Sequence, residues 1–304
     1  MTGAPFRTVG CIGEVMIELI AGAGSSAQFN VAGDTYNTAV YLKRSAPELQ
    51  VDYVTVLGND RFSDRILAHM ASNGIGTSAV ARHETRMPGL YAIETDDTGE
   101  RSFAYWRSAS AARMIFEEDG RDPLATLAAY DLVLLSGISL AILSQDQRDR
   151  LGSAIDAYRA NGGLVAFDSN YRPHLWPDAE TARSETEAFW RRTDIAMPSI
   201  DDEMALFGGD EAGILDRFRG YGLRQGALKC AAAGPVGLSQ TNPRPDVPAA
   251  KTVVDTTAAG DSFNAGFLAA LAEAQSDEAA MIAGHKLAVQ VIGKPGAIVD
   301  LDPE

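Results

Sequence analysis

What most constrains this chain is an alternation of two patterns. Short, continuous apolar runs give way to longer stretches of helical period. Residues 51–57, Leu132–Ser136, Leu164–Asp168, 195–197 and 227–231 are apolar almost throughout. A strand wetted on one face alternates apolar and polar residues, whereas a strand covered on both faces does not. Between these runs, 37–44, 60–72, Gln145–Ala160, 180–191, 201–207, Glu211–Arg219, 261–273 and 277–291 carry apolar residues at helical spacing. The second ends before Asn73-Gly74 and the third before Asn161-Gly162-Gly163, both helix-stop signals. Such alternation predicts right-handed crossovers and a mostly parallel sheet.

A hairpin falls outside that rhythm, and the other segments complete the chain. Residues 9–19 read as one strand that passes Glu14 and Glu18. Leu90–Thr95 and Arg101–Trp106 flank the turn-rich 96–100 and read as a hairpin. Residues 236–239 and 251–254 read as further strands, and 242–250, with three prolines, as a surface loop. That loop is too short to link domains, so the 304 residues are expected to form one domain, 1–304.

Charge and cysteine content remove several function classes. There are 26 Lys+Arg against 41 Asp+Glu, a net charge of −15. This argues against a nucleic-acid partner and against a polybasic membrane anchor. Cys11 and Cys230 are the two cysteines and there are 4 histidines, which gives neither a disulfide framework nor zinc-ligand spacing. The N-terminus is too polar for a secretory segment, and no apolar run reaches membrane-spanning length. A reducing, cytoplasmic setting is expected.

The chemical signal is the run Asp255-Thr256-Thr257-Ala258-Ala259-Gly260-Asp261-Ser262-Phe263-Asn264-Ala265-Gly266-Phe267, between an expected strand and a long helix. Small residues let a backbone approach a ligand closely. Amides at a helix start lack intrahelical acceptors and suit a phosphate. Asp261 there can accept a hydroxyl proton while the amides face a transferring phosphoryl group. Taken alone, Gly-Asp before a helix is better explained as an N-cap. No Walker A pattern is present, because Gly293-Lys294 is followed by Pro295, and no G-x-G-x-x-G follows the first strand.

Here the sequence resembles a known family. The run is similar to the second signature, D-T-x-G-A-G-D-x-F, of the ribokinase-like (PfkB) carbohydrate kinases, with Ala258 for a glycine. Ala32-Gly33-Asp34-Thr35-Tyr36-Asn37-Thr38-Ala39 resembles the first signature. Gly58-Asn59-Asp60-Arg61-Phe62 resembles G-x-D-x-F, with Ser63 where glycine is usual. Lys229-Cys230-Ala231-Ala232-Ala233-Gly234 resembles the nucleotide-side K-x-G-x-x-G, with Ala231 for a glycine. The blocks occur in order and span nearly the whole chain. The family's N-x-x-E falls on Ser199-Ile200-Asp201-Asp202. Two readings of Asp202 stand together: a carboxylate that helps hold Mg²⁺ through water, and a helix start favoured by the dipole.

The resemblance implies a ribokinase-like three-layer α/β fold. A mostly parallel central sheet is flanked by helices, and a small β-sheet lid comes from about 14–34 and 88–108. It implies ATP and Mg²⁺ and allows a monovalent cation near Asp255. Asp261 would be the base, with Ala258, Ala259 and Gly260 as the anion hole. Asn170, Lys229, Ala231 and Gly234 would border the nucleotide with Ala258 and Gly260. A homo-oligomer formed through the lid is also implied.

Three clusters bear on the acceptor. Gly33, Asp34 and Asn37 lie at a turn before a helix and suit sugar hydroxyls. Strand alternation puts Tyr105 and Arg107 on one face, with Tyr91 on the companion strand. Arg172 follows the carboxyl end of a buried strand, where α/β sheets bind ligands. Each has a plain structural account: a capped helix, a half-exposed sheet face, an arginine stacked on Trp176. Two arginines exceed the needs of a neutral hexose, and guanidinium forks match carboxylates, so a sugar acid is expected. GEVMIEL, GDTYNTAVYLKR, YWR and SNYRPHLW resemble the branch of the family that phosphorylates 2-keto-3-deoxygluconate at its terminal hydroxyl. By that likeness Gly33, Asp34, Thr35, Tyr91, Tyr105, Arg107 and Arg172 contact the sugar. A fructokinase-like enzyme and a non-catalytic sugar or nucleotide sensor are the alternatives. Both substrates are anions on a protein of net charge −15, so the cleft is expected to be a positive exception built from Arg107, Arg172, Lys229, the helix-start amides and Mg²⁺.

Overall fold

A computed structural model describes residues 6–21, 26–95, 101–117 and 122–301; the expected turn at 96–100 lies outside them. The chain begins β1 (Thr8–Ile12), β2 (Met16–Ala21), β3 (Ala27–Ala32), α1 (Asp34–Ser45), β4 (Gln50–Gly58), α2 (Arg61–Ser72), β5 (Val80–His83), β6 (Leu90–Thr95) and β7 (Arg101–Trp106). It continues α3 (Pro123–Leu127), β8 (Leu132–Ser136), α4 (Gly137–Ala141), α5 (Gln145–Ala160), β9 (Leu164–Asp168), α6 (Ala179–Trp190), β10 (Ile195–Ala196), α7 (Ile200–Phe207) and α8 (Glu211–Arg219). It closes with β11 (Gln225–Leu228), β12 (Val236–Gly237), α9 (Ala259–Ala272) and α10 (Asp277–Ile292).

Eight strands form the main sheet in the order β12-β11-β10-β9-β8-β1-β4-β5. All neighbours are parallel except β11 and β12. The apolar runs are covered on both faces as the pattern predicts: every residue of β8 is buried. One core, with Tyr36, Tyr53 and Phe267, lies under α1, α2, α9 and α10. The other, with Phe167, Trp190 and Phe218, lies under the helices from α3 to α8. α9 and α10 approach closely because both are small at the contact. A Cβ on Gly266 would stand 2.9 Å from the Ala283 carbonyl oxygen and the Gly284 Cα. The chain works outward from β1 in opposite directions, to β4 and β5 on one side and to β8 through β11 on the other. The crevice between β1 and β8 is therefore the switch point at which open α/β sheets bind ligands.

A second sheet, β3-β2-β6-β7, stands apart from the first. Here the expected strand 9–19 is corrected: it is two strands, one in each sheet, parted at residues 13–15. Glu14, inside that break, is 1% exposed and is paired with Arg107, so the chain leaves the main sheet where a buried charge needs a partner. Gly33 marks the return, since a Cβ there would stand 2.2 Å from the Glu14 carbonyl oxygen. β3 falls within the 14–34 lid segment that the resemblance implied, although no apolar pattern marks it as a strand, because four of its six residues are exposed. The expected strand 251–254 is absent. Val253 and Val254 are 59% and 53% exposed, and the Val254 amide donates to the carbonyl of Ile292, the last residue of α10.

Candidate active site

A cleft of about 510 Å³ lies between the two sheets, at the carboxyl ends of the central strands. The start of α9 forms its floor. Ala258 is the N-cap residue, in left-handed conformation (φ 61°, ψ 15°), and no side chain caps the helix. The expected plain account of Asp261 as an N-cap is thereby set aside: it is the third helical residue. Its Oδ2 accepts from Asn37 Nδ2 at 2.8 Å, and its own helix does not hold it. Ala259 N donates to Thr256 O at 3.2 Å, whereas the Gly260 amide has no intrahelical acceptor at the positive end of the helix, beside the cleft that Gly260 lines. Burial and the nearby Asp34 push the Asp261 carboxyl up to about 8, against the opposing pull of the Asn37 bond and the Lys229 charge.

Behind the amides sits a buried triangle. Lys229 Nζ lies 2.9 Å from Asp168 Oδ1 and donates to Asn264 Oδ1 at 3.1 Å. Asn264 Nδ2 donates to Asp168 Oδ2 at 2.6 Å. A Cβ on Gly260 would lie 3.4 Å from the ammonium, so Lys229 stands at the start of α9 where a phosphate would rest. Asp34 Oδ2 accepts from Asn170 Nδ2 at 2.7 Å and from Ser136 Oγ, joining β8 and β9 to the start of α1.

The lid supplies the opposite wall. Tyr91 OH donates to Glu18 Oε2, and the Tyr91 and Tyr105 rings stack with centroids 5.8 Å apart. Phe103, Tyr105 and Arg107 all line the cleft, the single face that alternation predicted for the last two. Arg107 Nε donates to Glu14 Oε2 at 2.7 Å. Arg172 Nη1 donates to Tyr171 O at 2.8 Å and lies 3.5 Å from Asp202 Oδ1.

Of the expected site residues, Gly33, Asp34, Asn37, Tyr91, Tyr105, Arg107, Asn170, Arg172, Asp202, Lys229 and 258–261 converge on this cleft. Thr35, Ala231 and Gly234 are not among its lining residues. Thr35 is buried with its hydroxyl 2.9 Å from Tyr53 OH, and Ala231 begins an exposed turn beyond β11. Asp168 and Asn264 were missed as partners of Lys229, as was Glu14 as partner of Arg107. A glutamate in an otherwise buried apolar strand was the available signal.

The expected positive cleft is also corrected. Each cation is held by a carboxylate: Arg107 by Glu14, Arg172 by Asp202 and Lys229 by Asp168. Arg107 and Lys229 are buried, where an unpaired charge costs roughly several kcal/mol, so the fold supplies their partners in advance; Arg172 is 46% exposed and its pairing is looser. With Asp34, Asp201 and Asp261 also on the lining, carboxylates outnumber cations. This bears on metal binding. Burial and the Asp168 charge push the Asp202 carboxyl above its ordinary range. Among the described residues no group of three His, Cys, Asp or Glu side chains is placed to hold a metal ion. Asp255 accepts from Thr257 N, Thr257 Oγ1 and Gly296 N at 2.7–3.0 Å.

Comparison with known proteins is consistent across sequence and structure. Residues 7–303 match the family described as pfkB family carbohydrate kinase. A 2-dehydro-3-deoxygluconokinase of Dickeya dadantii (strain 3937) is 44% identical over 97% of this chain and 98% of its own. One of the same name from Escherichia coli (strain K12) is 42% identical over 96% and 97%. The crystal structure of a PfkB protein from Polaromonas sp. JS666 superposes with a TM-score of 0.82 at 25% identity, covering 94% of this chain and 95% of that one.

Proposed function

The chain belongs to the pfkB family of carbohydrate kinases, and from that membership and the cleft we propose that it transfers the γ-phosphate of ATP to the terminal hydroxyl of 2-dehydro-3-deoxygluconate. The observation that carries the reading is Asp261, held by Asn37 from outside its own helix, beside uncapped first-turn amides. The relatives at 38–44% identity bear the name of that activity.

In this reading the acceptor lies under the lid, its hydroxyls met by Asp34 and Asn37 and its carboxylate by Arg172 and Arg107. Asp261 accepts the hydroxyl proton as the oxygen attacks the γ-phosphorus in line. The new O–P bond forms as the bond to the β-bridging oxygen breaks, and ADP leaves. The Gly260 amide and the Lys229 ammonium offset the charge on the transferring group. Asp202 would help hold Mg²⁺, and such an ion would supply further neutralisation of the phosphates. The lid keeps out water, which competes with the sugar hydroxyl for the phosphoryl group. Exposed Phe29 and Trp106 on its edge strands support pairing with the lid of a second copy. Two buried, unpaired cysteines suit the reducing cytoplasm, where ATP is available.

The test is ADP release from ATP and Mg²⁺ with a panel of sugars. The sugar acid is expected to exceed fructose and other neutral sugars by at least ~100-fold in kcat/KM, the size of a desolvated charge-assisted contact. Preference for a neutral sugar would move the chain to the fructokinase-like reading, and no turnover with any sugar to a sensor.

A further inference from the structure

One line of side chains crosses the lid from edge to edge and ends on the core. Asn30, Glu18, Tyr91 and Tyr105 stand directly opposite one another across β3, β2, β6 and β7. Opposed residues share a face and touch. Asn30 Nδ2 donates to Glu18 Oε1 at 3.0 Å, Tyr91 OH donates to Glu18 Oε2, and Tyr91 stacks on Tyr105. The row then leaves the lid: the Tyr105 ring meets His174, with centroids 5.8 Å apart and planes at 33°. His174 also lines the cleft.

The two sides of this last contact are anchored differently. His174 sits on a single turn, Pro173–Leu175, closed by the Leu175 amide donating to Arg172 O at 3.0 Å. Buried Trp176 pins the turn from beneath, with the Arg148 guanidinium 5.4 Å from its ring centre. Tyr105 belongs to an edge strand of the lid and is 44% exposed. A contact between two exposed rings adds little to folding. Its placement gives it another use, since it joins the lid to the loop carrying Arg172 at the mouth of the cleft.

We propose that His174 is a positioning residue that, by stacking on Tyr105, holds the transverse row of the lid over the acceptor and ties lid placement to the Arg172 loop. This rests on the sugar-kinase reading above. Arg172 and Tyr105 both face the sugar, so an acceptor that engages them draws together the two elements His174 links. A neutral aromatic ring serves the stacking, whereas a methyl group does not.

The test compares wild type, His174→Ala and His174→Phe in three measurements: sugar KM against kcat, phosphosugar formed per ADP released, and sugar-induced protection of β6 and β7 amides in hydrogen exchange without ATP. For His174→Ala the sugar KM is expected to rise about 2- to 10-fold, the scale of one aromatic pair. ADP release is expected to outrun phosphosugar, and the exchange protection to fall. His174→Phe is expected to restore all three. A merely structural histidine would lower Tm in His174→Ala and leave coupling and protection unchanged, which overturns the proposal. So does a His174→Phe variant as defective as His174→Ala. Should wild type fail on the sugar acid, the substrate assignment falls instead, and the same comparison is made with the sugar it does phosphorylate.

Discussion

Asp261→Asn is expected to cost the enzyme its turnover and make it more stable, in a pH-dependent way. Burial and Asp34 lift this carboxyl from 3.8 to about 8. The folded state therefore binds the proton more tightly than the unfolded state. Stability is fully present below pH ~4 and is lost as pH rises toward ~8. Converted in full at ~1.4 kcal/mol per unit, the displacement is roughly 6 kcal/mol. The carboxyl lines an open cleft, and solvent screening there leaves about a third of it, ~2 kcal/mol. Asparagine removes the charge and keeps the oxygen that accepts from Asn37. Thermal denaturation should then show Asp261→Asn melting ~3–6 °C above wild type at pH 8.5, with the difference closing by pH 4.5. The kcat should fall at least ~100-fold, the loss of a general base, while calorimetry finds sugar affinity largely intact. A Tm gain that is absent at pH 8.5, or equal at both pH values, would refute the claim that an ionised Asp261 is held at the fold's expense. Near-normal kcat would remove it as the base.

Four further substitutions have expected outcomes. Asn37→Ala removes a bond that favours ionised Asp261, so the acid limb of the kcat/KM profile should move to higher pH; an unmoved limb counts against the pair. Arg172→Ala should raise KM about 10- to 100-fold for the acid sugar and little for a neutral one, and equal effects would count against carboxylate recognition. Ala231 is exposed with φ 45°, a conformation that costs an L-residue about 1–2 kcal/mol. Ala231→Gly should therefore raise stability by ~0.5–1 kcal/mol in denaturant titration, after glycine's entropy is deducted. Ala258→Gly should gain less, because the Ala258 methyl packs against two apolar clusters.

Legibility in the sequence followed distance along the chain. Strand β8, helix α5 and the shared face of Tyr105 and Arg107 are local periodicities, and each could be read from a window of a dozen residues. The two glycines replaced by Ala231 and Ala258 were visible as departures from a motif; that both sit at positive φ was not. What the residues alone hid was pairing. Asn37 and Asp261 are 224 positions apart, Asp168 and Asn264 are 96, and Arg107 and Glu14 are 93. No periodicity encodes such meetings. The positive-cleft expectation failed for that reason: cations were visible one by one, but the carboxylate waiting for each was not. The strand at 251–254 failed because two valines beside a ligand loop look like those beneath a sheet.

The lid has a further consequence, in the order of folding. Its central pair, β2 with β6, is parallel, and between those strands the chain makes β3, α1, β4, α2 and β5. A parallel pair cannot close as a hairpin; its ends must be carried together by what lies between. Here the carrier is the pairing of β1 with β4 and of β4 with β5, which fixes where β2 departs and where β6 arrives. Each hairpin alone is a two-stranded ribbon, marginal in water. The cover over the acceptor therefore assembles after the sheet it covers and comes apart before it. A substitution that loosens β1 against β4 reaches the sugar pocket without touching a residue in it.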